Sequence, residues 1–93
     1  MKEHILKTEY TVWEAIARGE KRFEIRLNDR FFQKGDIVIL RQMSENGRHY
    51  EPDYGKGTAS TNDLTFKIGW FLQGGQFGLD SRYCAFQLEE VSS

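Results

Sequence analysis

The chain has 93 residues, a formal net charge of −1 and one cysteine. This length predicts a single domain over residues 1–93, since a second hydrophobic core would not fit. One cysteine excludes an internal disulfide and a multi-cysteine zinc site, and it favours a reduced, cytoplasmic protein. No apolar run approaches the roughly 20 residues of a membrane span, and the N-terminus does not resemble a signal peptide, so no membrane association is expected.

The near-neutral total hides a segregation of charge along the chain. Residues 18–41 carry seven Lys and Arg against four Asp and Glu, a net of +3, whereas residues 42–93 carry four against seven, a net of −3. A basic segment on a weakly acidic chain indicates a local anionic ligand. Broad, non-specific binding to nucleic acid duplexes is therefore not expected.

The first part of the chain predicts a short strand followed by a short helix. Residues 4–7 form the strand, and Thr8 ends it. Thr11 and Glu14 have the spacing of a capping box, which predicts the start of the helix, and Gly19 suits the left-handed position after its end. The buried stripe of this helix would consist of Val12, Ile16 and Trp13.

Residues 22–27 alternate charged and apolar side chains with a strict period of two, which predicts a strand with two different faces. We expect the apolar face to be buried and the charged face, with Glu24 beside Arg26, to line a concave surface. The alternative is a solvated outer face held by cross-strand ion pairs. The residues expected to be buried are Phe23, Ile25 and Leu27.

The rest of the chain predicts further short strands joined by turns. With one early helix, five or six such strands indicate an α+β fold, a small, partly closed mixed β-barrel. Residues 37–40 are apolar on both faces and predict a central strand. The other expected elements are a hairpin turn at Asn46-Gly47, a flexible loop over residues 51–63, strands over 64–72 and 83–91, and a turn at 73–76.

Four residues follow the spacing Gly-x-Lys-x-x-Glu-x-Arg, namely Gly19, Lys21, Glu24 and Arg26. Further short motifs occur in order along the chain: His4-x-Leu6-Lys7, Asn28-Asp29-Arg30, Gly35-Asp36-Ile37 and Gly-Gly-x-Phe-Gly-Leu at 74–79. Together they resemble the ASCH domains of the PUA-like superfamily, and in particular a small branch of unknown function. The resemblance covers most of the chain outside residues 44–63.

This resemblance implies a small PUA-like barrel with the short helix beside a cleft that binds RNA or a modified nucleotide. Lys21, Glu24 and Arg26 would line the cleft floor. Arg26 would suit a phosphate, and Glu24 could accept a hydrogen bond from an exocyclic amine. Weaker ligand-binding candidates are Lys7, His4 and Arg30 at the rim and Trp13, which would either stack on a base or pack the helix. No cofactor is implied.

The resemblance also leaves an enzymatic alternative open. One ASCH branch removes the acetyl group from N4-acetylcytidine with a lysine and, three residues later, a threonine. Lys21 matches that lysine, but Glu24 occupies the threonine position, so the nucleophilic hydroxyl is missing. If the chain is such an amidohydrolase, Lys21 and Glu24 would act in catalysis. A further alternative is a protein-interaction module of a phage or mobile element, and the oligomeric state stays open.

A few other residues could carry chemistry or mark the core. Cys84 is expected to be a buried strand residue, since no histidine lies near it in sequence. Neither His4 nor His49 has a partner at ligand spacing, so no metal site is expected. One of two adjacent phenylalanines is expected near the surface, and an adjacent Trp-Phe pair should point to opposite faces of its strand. These pairs are Phe31-Phe32 and Trp70-Phe71.

Overall fold

A computed structural model describes residues 1–43 and 62–91 of the chain. Within these residues the strands form one five-stranded sheet in the order β1-β3-β4-β5-β2, and one short helix accompanies them. The α+β class is confirmed, whereas the expected hairpin turn at Asn46-Gly47 and residues 51–61 of the expected loop lie outside the described residues. The elements are β1 (Glu3–Thr8), α1 (Tyr10–Ala17), β2 (Phe23–Leu27), β3 (Ile37–Gln42), β4 (Asp63–Gln73) and β5 (Tyr83–Glu90).

The sheet is mixed. The Ile37 amide donates to the Lys2 carbonyl at 2.8 Å and the Met43 amide to the Thr8 carbonyl at 2.9 Å. From the first bond to the second, the residue numbers increase along both strands, so β3 runs parallel to β1. Strand β5 is antiparallel to both β2 and β4. Strand β3 lies between β1 and β4, as its apolar sequence predicted.

The chain divides into two units, each with its own buried residues. The first comprises Met1–His4, Arg22–Val38 and Thr65–Ser93, and the second comprises Ile5–Lys21 and Ile39–Leu64. In the described part of the first unit, the buried apolar residues are Phe32, Val38, Ile68, Cys84, Phe86 and Leu88. In that of the second they are Leu6, Ile16 and Leu40.

Helix α1 begins earlier than the capping-box pattern predicted. Glu9 is its N-cap, and one carboxylate oxygen accepts from the Val12 amide at 3.0 Å and from the Thr11 hydroxyl at 2.6 Å. Thr11 therefore lies inside the first turn, where its hydroxyl supports the cap instead of forming it. The Glu14 carboxylate accepts instead from the Gln42 side-chain amide at 3.0 Å. The expected capping box is wrong because Glu9 provides the cap two residues earlier.

The end of α1 follows the prediction. Gly19 has a φ of +79°, the left-handed region that favours glycine. The Gly19 amide donates to the Ile16 carbonyl and the Glu20 amide to the Ala15 carbonyl, both at 2.9 Å. This is a Schellman motif, which satisfies two carbonyls that the last helical turn cannot pair internally.

The two faces of β2 are the reverse of the prediction. Phe23, Ile25 and Leu27 are 48%, 50% and 44% exposed, whereas Glu24 is only 3% exposed. The pairing with β5 explains this reversal, because residues directly opposite each other in an antiparallel pair share a face. Glu24 is paired with Phe86, which belongs to the core face of β5. The expectation that the apolar residues of this strand are buried is therefore wrong.

Strand β4 contains a β-bulge. Ile68 pairs with Leu88 and Phe71 with Phe86, so Gly69 and Trp70 together face one residue of β5. A Cβ at Gly69 would meet the end of the flexible Glu89 side chain, which would have to move aside. Trp70 is 59% exposed and Phe71 is half-buried, which confirms that the two point to opposite faces.

Candidate functional site

The central feature of the first unit is an ion pair between two neighbouring side chains of β2. Oε2 of Glu24 accepts from Nε of Arg26 at 2.7 Å and lies 2.6 Å from Nη2. The Glu24 side chain is 5% exposed and that of Arg26 is 23% exposed. Residues two apart on a strand project from the same face, which is why a motif with Glu-x-Arg spacing can form this contact.

The two β5 residues opposite this pair are apolar. In the register of β2 with β5, Glu24 lies opposite Phe86 and Arg26 opposite Cys84, and both of these β5 residues are buried. A buried charge is costly unless an opposite charge and hydrogen bonds compensate it, and the guanidinium provides both for Glu24. The pair thus combines an acceptor held in the core with a planar donor group that still reaches solvent.

His4 belongs to the core of the first unit, not to an exposed rim. It is 5% exposed, and its Nε2 lies 2.9 Å from Oδ2 of Asp36. Its ring centroid is 4.6 Å from that of Phe32. The ring centroids of Phe32 and Phe86 are in turn 5.5 Å apart. Burial and these contacts give His4 a packing role in the core of the first unit.

Asp36, which the sequence presents only as a member of the Gly35-Asp36-Ile37 motif, is a buried residue. Besides His4, it accepts hydrogen bonds from the backbone amides of Lys2 and Gln33, each at 3.2 Å. Burial alone would raise the pKa of Asp36, but the hydrogen bonds from His4 and the two amides outweigh it and hold the pKa below the ordinary aspartate value. The Gly-Asp dipeptide alone could not indicate this, because His4 is 32 residues away.

Arg30 and its neighbours lie at the surface of the first unit. Nε of Arg30 is 3.9 Å from the Asp29 carboxylate, and both side chains are exposed. Phe31 is 73% exposed with a φ of +53°, whereas Phe32 is 3% exposed. The expectation that one of these phenylalanines lies near the surface is confirmed.

The remaining candidates belong to the second unit. Lys7 is exposed on β1, and Lys21 is half-buried with its amide donating to the Ala15 carbonyl at 3.2 Å. Trp13 is half-buried, and its indole Nε1 donates to the Leu40 carbonyl at 2.9 Å. This hydrogen bond favours the packing role of Trp13 over a stacking platform, because it holds the ring against β3.

Cys84 is confirmed as a buried strand residue with no exposed surface. Burial raises the pKa of its thiol from the ordinary 9.0 to about 11, although a hydrogen bond with the Arg26 backbone opposes the shift. At mildly alkaline pH this lowers the thiolate fraction about a hundredfold.

We therefore expect a thiol reagent to label Cys84 of the folded protein at least a hundredfold more slowly than that of the urea-unfolded chain, as measured by absorbance. Equal labelling rates would contradict the burial of Cys84.

The described residues contain neither a metal-binding group nor a membrane-spanning helix. Across residues 1–43 and 62–91, no three His, Cys, Asp or Glu side chains come together as a group that could hold a metal ion. Within the same ranges, no helix has the length and apolar character needed to cross a membrane.

Comparison with known proteins places the chain in a family of unknown function. Residues 3–88, most of the chain, match the sequence profile of the family described as a domain of unknown function, DUF3850. No curated protein matches the chain.

Proposed function

The chain belongs to the DUF3850 family, and we propose that it binds a nucleotide or a short RNA segment through Glu24 and Arg26. The observation that carries this proposal is the pairing of a 5% exposed carboxylate with a 23% exposed guanidinium on the core face of β2. Replacing a buried ion pair by apolar residues is often neutral or stabilising, so stability alone is a weak reason to place one here. A ligand that uses both groups supplies a stronger reason.

Arg26 suits the phosphate of such a ligand. A guanidinium presents five N–H donors in a planar fork that matches two oxygens of a phosphate. Two of its nitrogens, Nε and Nη2, contact Glu24, which fixes the plane of the group before a ligand arrives. Such preorganisation lowers the entropy cost of binding.

Glu24 suits the base of the ligand. An ionised carboxylate only accepts hydrogen bonds, and it can accept from the exocyclic amine of cytosine. In the sequence, Lys21 precedes this pair within the Gly-x-Lys-x-x-Glu-x-Arg motif. The resemblance of that motif to ASCH domains, with their PUA-like fold and RNA or modified-base ligands, supports the same proposal.

The test is a thermal-shift screen against nucleosides, nucleotides and short single-stranded RNAs, followed by calorimetric titration of the best ligand. A ligand that binds only the folded protein raises Tm with increasing concentration. We expect Arg26→Lys to weaken binding by about 1–3 kcal/mol, because lysine keeps the positive charge beside Glu24 but loses the bidentate fork. The comparison of nucleotides with RNA then separates a free ligand from a polymer.

Arg82→Lys is the matched control. Arg82 also forms a two-point contact with a carboxylate, that of Asp80, through Nε and Nη2, each at 3.0 Å. Its side chain is 74% exposed, so the same substitution there should leave the affinity unchanged. Equal affinity of the wild type and Arg26→Lys would contradict the proposal and leave the Glu24–Arg26 pair as a structural contact.

A further inference from the structure

An apolar surface lies on the other side of the sheet from Glu24 and Arg26. It is formed by three rows of side chains on β2 and β5, two of which continue onto β4, and we call it the outer face. Leu27 pairs with Tyr83, Ile25 with Ala85 and Phe23 with Gln87. Ala85 also pairs with Leu72 on β4, and Trp70 projects from the same face of that strand. None of these residues is charged.

The outer face is comparable in area to the largest apolar patch of a typical monomer, about 300–600 Å². The exposed fractions are 48% for Phe23, 50% for Ile25, 44% for Leu27, 59% for Trp70 and 36% for Tyr83. With side-chain areas of about 150–250 Å² for the aromatic residues, these fractions leave about 500 Å² in contact with solvent. Contiguous apolar patches of this size on a monomer often mark an interaction site.

We infer that the outer face is the interface between two copies of this chain. A protein–protein interface of standard size buries about 800 Å² on each partner, of which roughly 56–65% is apolar. The apolar area of one partner in such an interface is therefore about 450–520 Å². The exposed apolar area of the outer face is about the same. Aromatic residues are enriched in such interfaces, and two-fold symmetric dimers are the commonest soluble oligomers.

The shape of the outer face also suits a second copy. An apolar groove lies over the small side chain of Ala85, and Phe23 and Trp70 line its sides. Trp70 itself is more than half exposed. A two-fold contact needs a projection and a recess on the same surface, because each copy must supply both. Trp70 of each copy would enter the groove of the other.

The charge of the outer face argues against a nucleic acid as its occupant, because the three rows carry none and the next row pairs one cation, Lys67, with one anion, Glu89. Aromatic side chains can stack on bases, but a surface that binds single-stranded nucleic acid also needs cations for the phosphates. No Lys or Arg occurs in the three described rows. The inference is independent of the proposed nucleotide site, since Glu24 and Arg26 lie on the opposite face of β2.

Sedimentation velocity of the full chain, from low to high micromolar concentration, tests this inference. We expect the wild type to sediment as a dimer and Ile25→Glu to raise the dissociation constant at least about tenfold, because a buried carboxylate would lack a partner. Phe77→Asn is the control, because Phe77 is 87% exposed but does not line the groove, and its φ of +53° suits asparagine. It should leave the dimer unchanged.

Tryptophan fluorescence gives a second readout of the same contact. In a Trp13→Phe background, which leaves Trp70 as the only tryptophan, dimer formation should protect Trp70 from iodide quenching as the protein concentration rises. Circular dichroism checks that each variant is folded. A wild-type monomer at every concentration would overturn the inference, whether or not single-stranded RNA or another protein binds the outer face. A folded Ile25→Glu variant that still dimerises would overturn it as well.

Discussion

Replacing Asp36 with alanine is expected to lower the free energy of unfolding by about 3 kcal/mol. The carboxylate of this 5% exposed residue accepts from His4 at 2.9 Å and from the amides of Lys2 and Gln33 at 3.2 Å. Its removal leaves a buried imidazole and two amides without their acceptor. Since a small domain has a total stability of about 5–15 kcal/mol, the loss is a large fraction of it. Urea unfolding followed by tryptophan fluorescence measures it.

The pH dependence of stability provides a sharper test of Asp36. Folding lowers the pKa of Asp36 below its ordinary value of 3.8. The contribution of Asp36 to the free energy of unfolding is therefore fully present above pH 3.8, and it is lost as the pH falls through the lower pKa of the folded state. The wild type should therefore lose more stability than Asp36→Asn as the pH falls below about 4. Asp29→Ala, which removes an exposed carboxylate, should change little. Parallel pH profiles of the wild type and Asp36→Asn would contradict this account.

Glu24→Ala is expected to destabilise the protein by about 3 kcal/mol, because it leaves the guanidinium of Arg26 without its carboxylate in a mostly buried position. The double variant Glu24→Ala/Arg26→Ala should cost less than the sum of the two single variants. Their coupling, expected to be about 1–3 kcal/mol, is obtained from a double-mutant cycle of urea unfolding. Purely additive losses would show that the contact at 2.6 Å does not stabilise the fold.

A second double variant separates stability from function. Glu24→Leu/Arg26→Leu places two apolar side chains opposite Phe86 and Cys84, which belong to the core face of β5. Such a replacement of a buried ion pair is expected to keep or raise stability. We expect this variant to melt at or above the wild-type temperature and to bind no nucleotide. Loss of folding would show instead that the pair is required by the fold.

Local sequence patterns predicted most of the elements. The period of two over residues 22–27 predicted β2, and the doubly apolar residues 37–40 predicted an interior β3. Gly19 predicted the end of α1, because a left-handed residue after a helix favours glycine over nearly any other residue. The motif that contains Glu24 and Arg26 also predicted that these two side chains would be neighbours, since residues two apart share a strand face. Each of these features depends on residues close together in sequence.

Only the tertiary structure decided which face of β2 meets the core. A period of two shows that a strand has two unlike faces, but the pairing with β5 determines which one is buried. That pairing puts Glu24 beside Phe86 and leaves Ile25 at the surface. The contact of His4 with Asp36 likewise depends on chain packing across 32 residues, a separation that no local pattern encodes. The sequence by itself thus determined the strands, the end of α1 and the proximity of Glu24 to Arg26. Long-range strand pairing decided which charged residues are buried and which apolar residues of β2 are exposed.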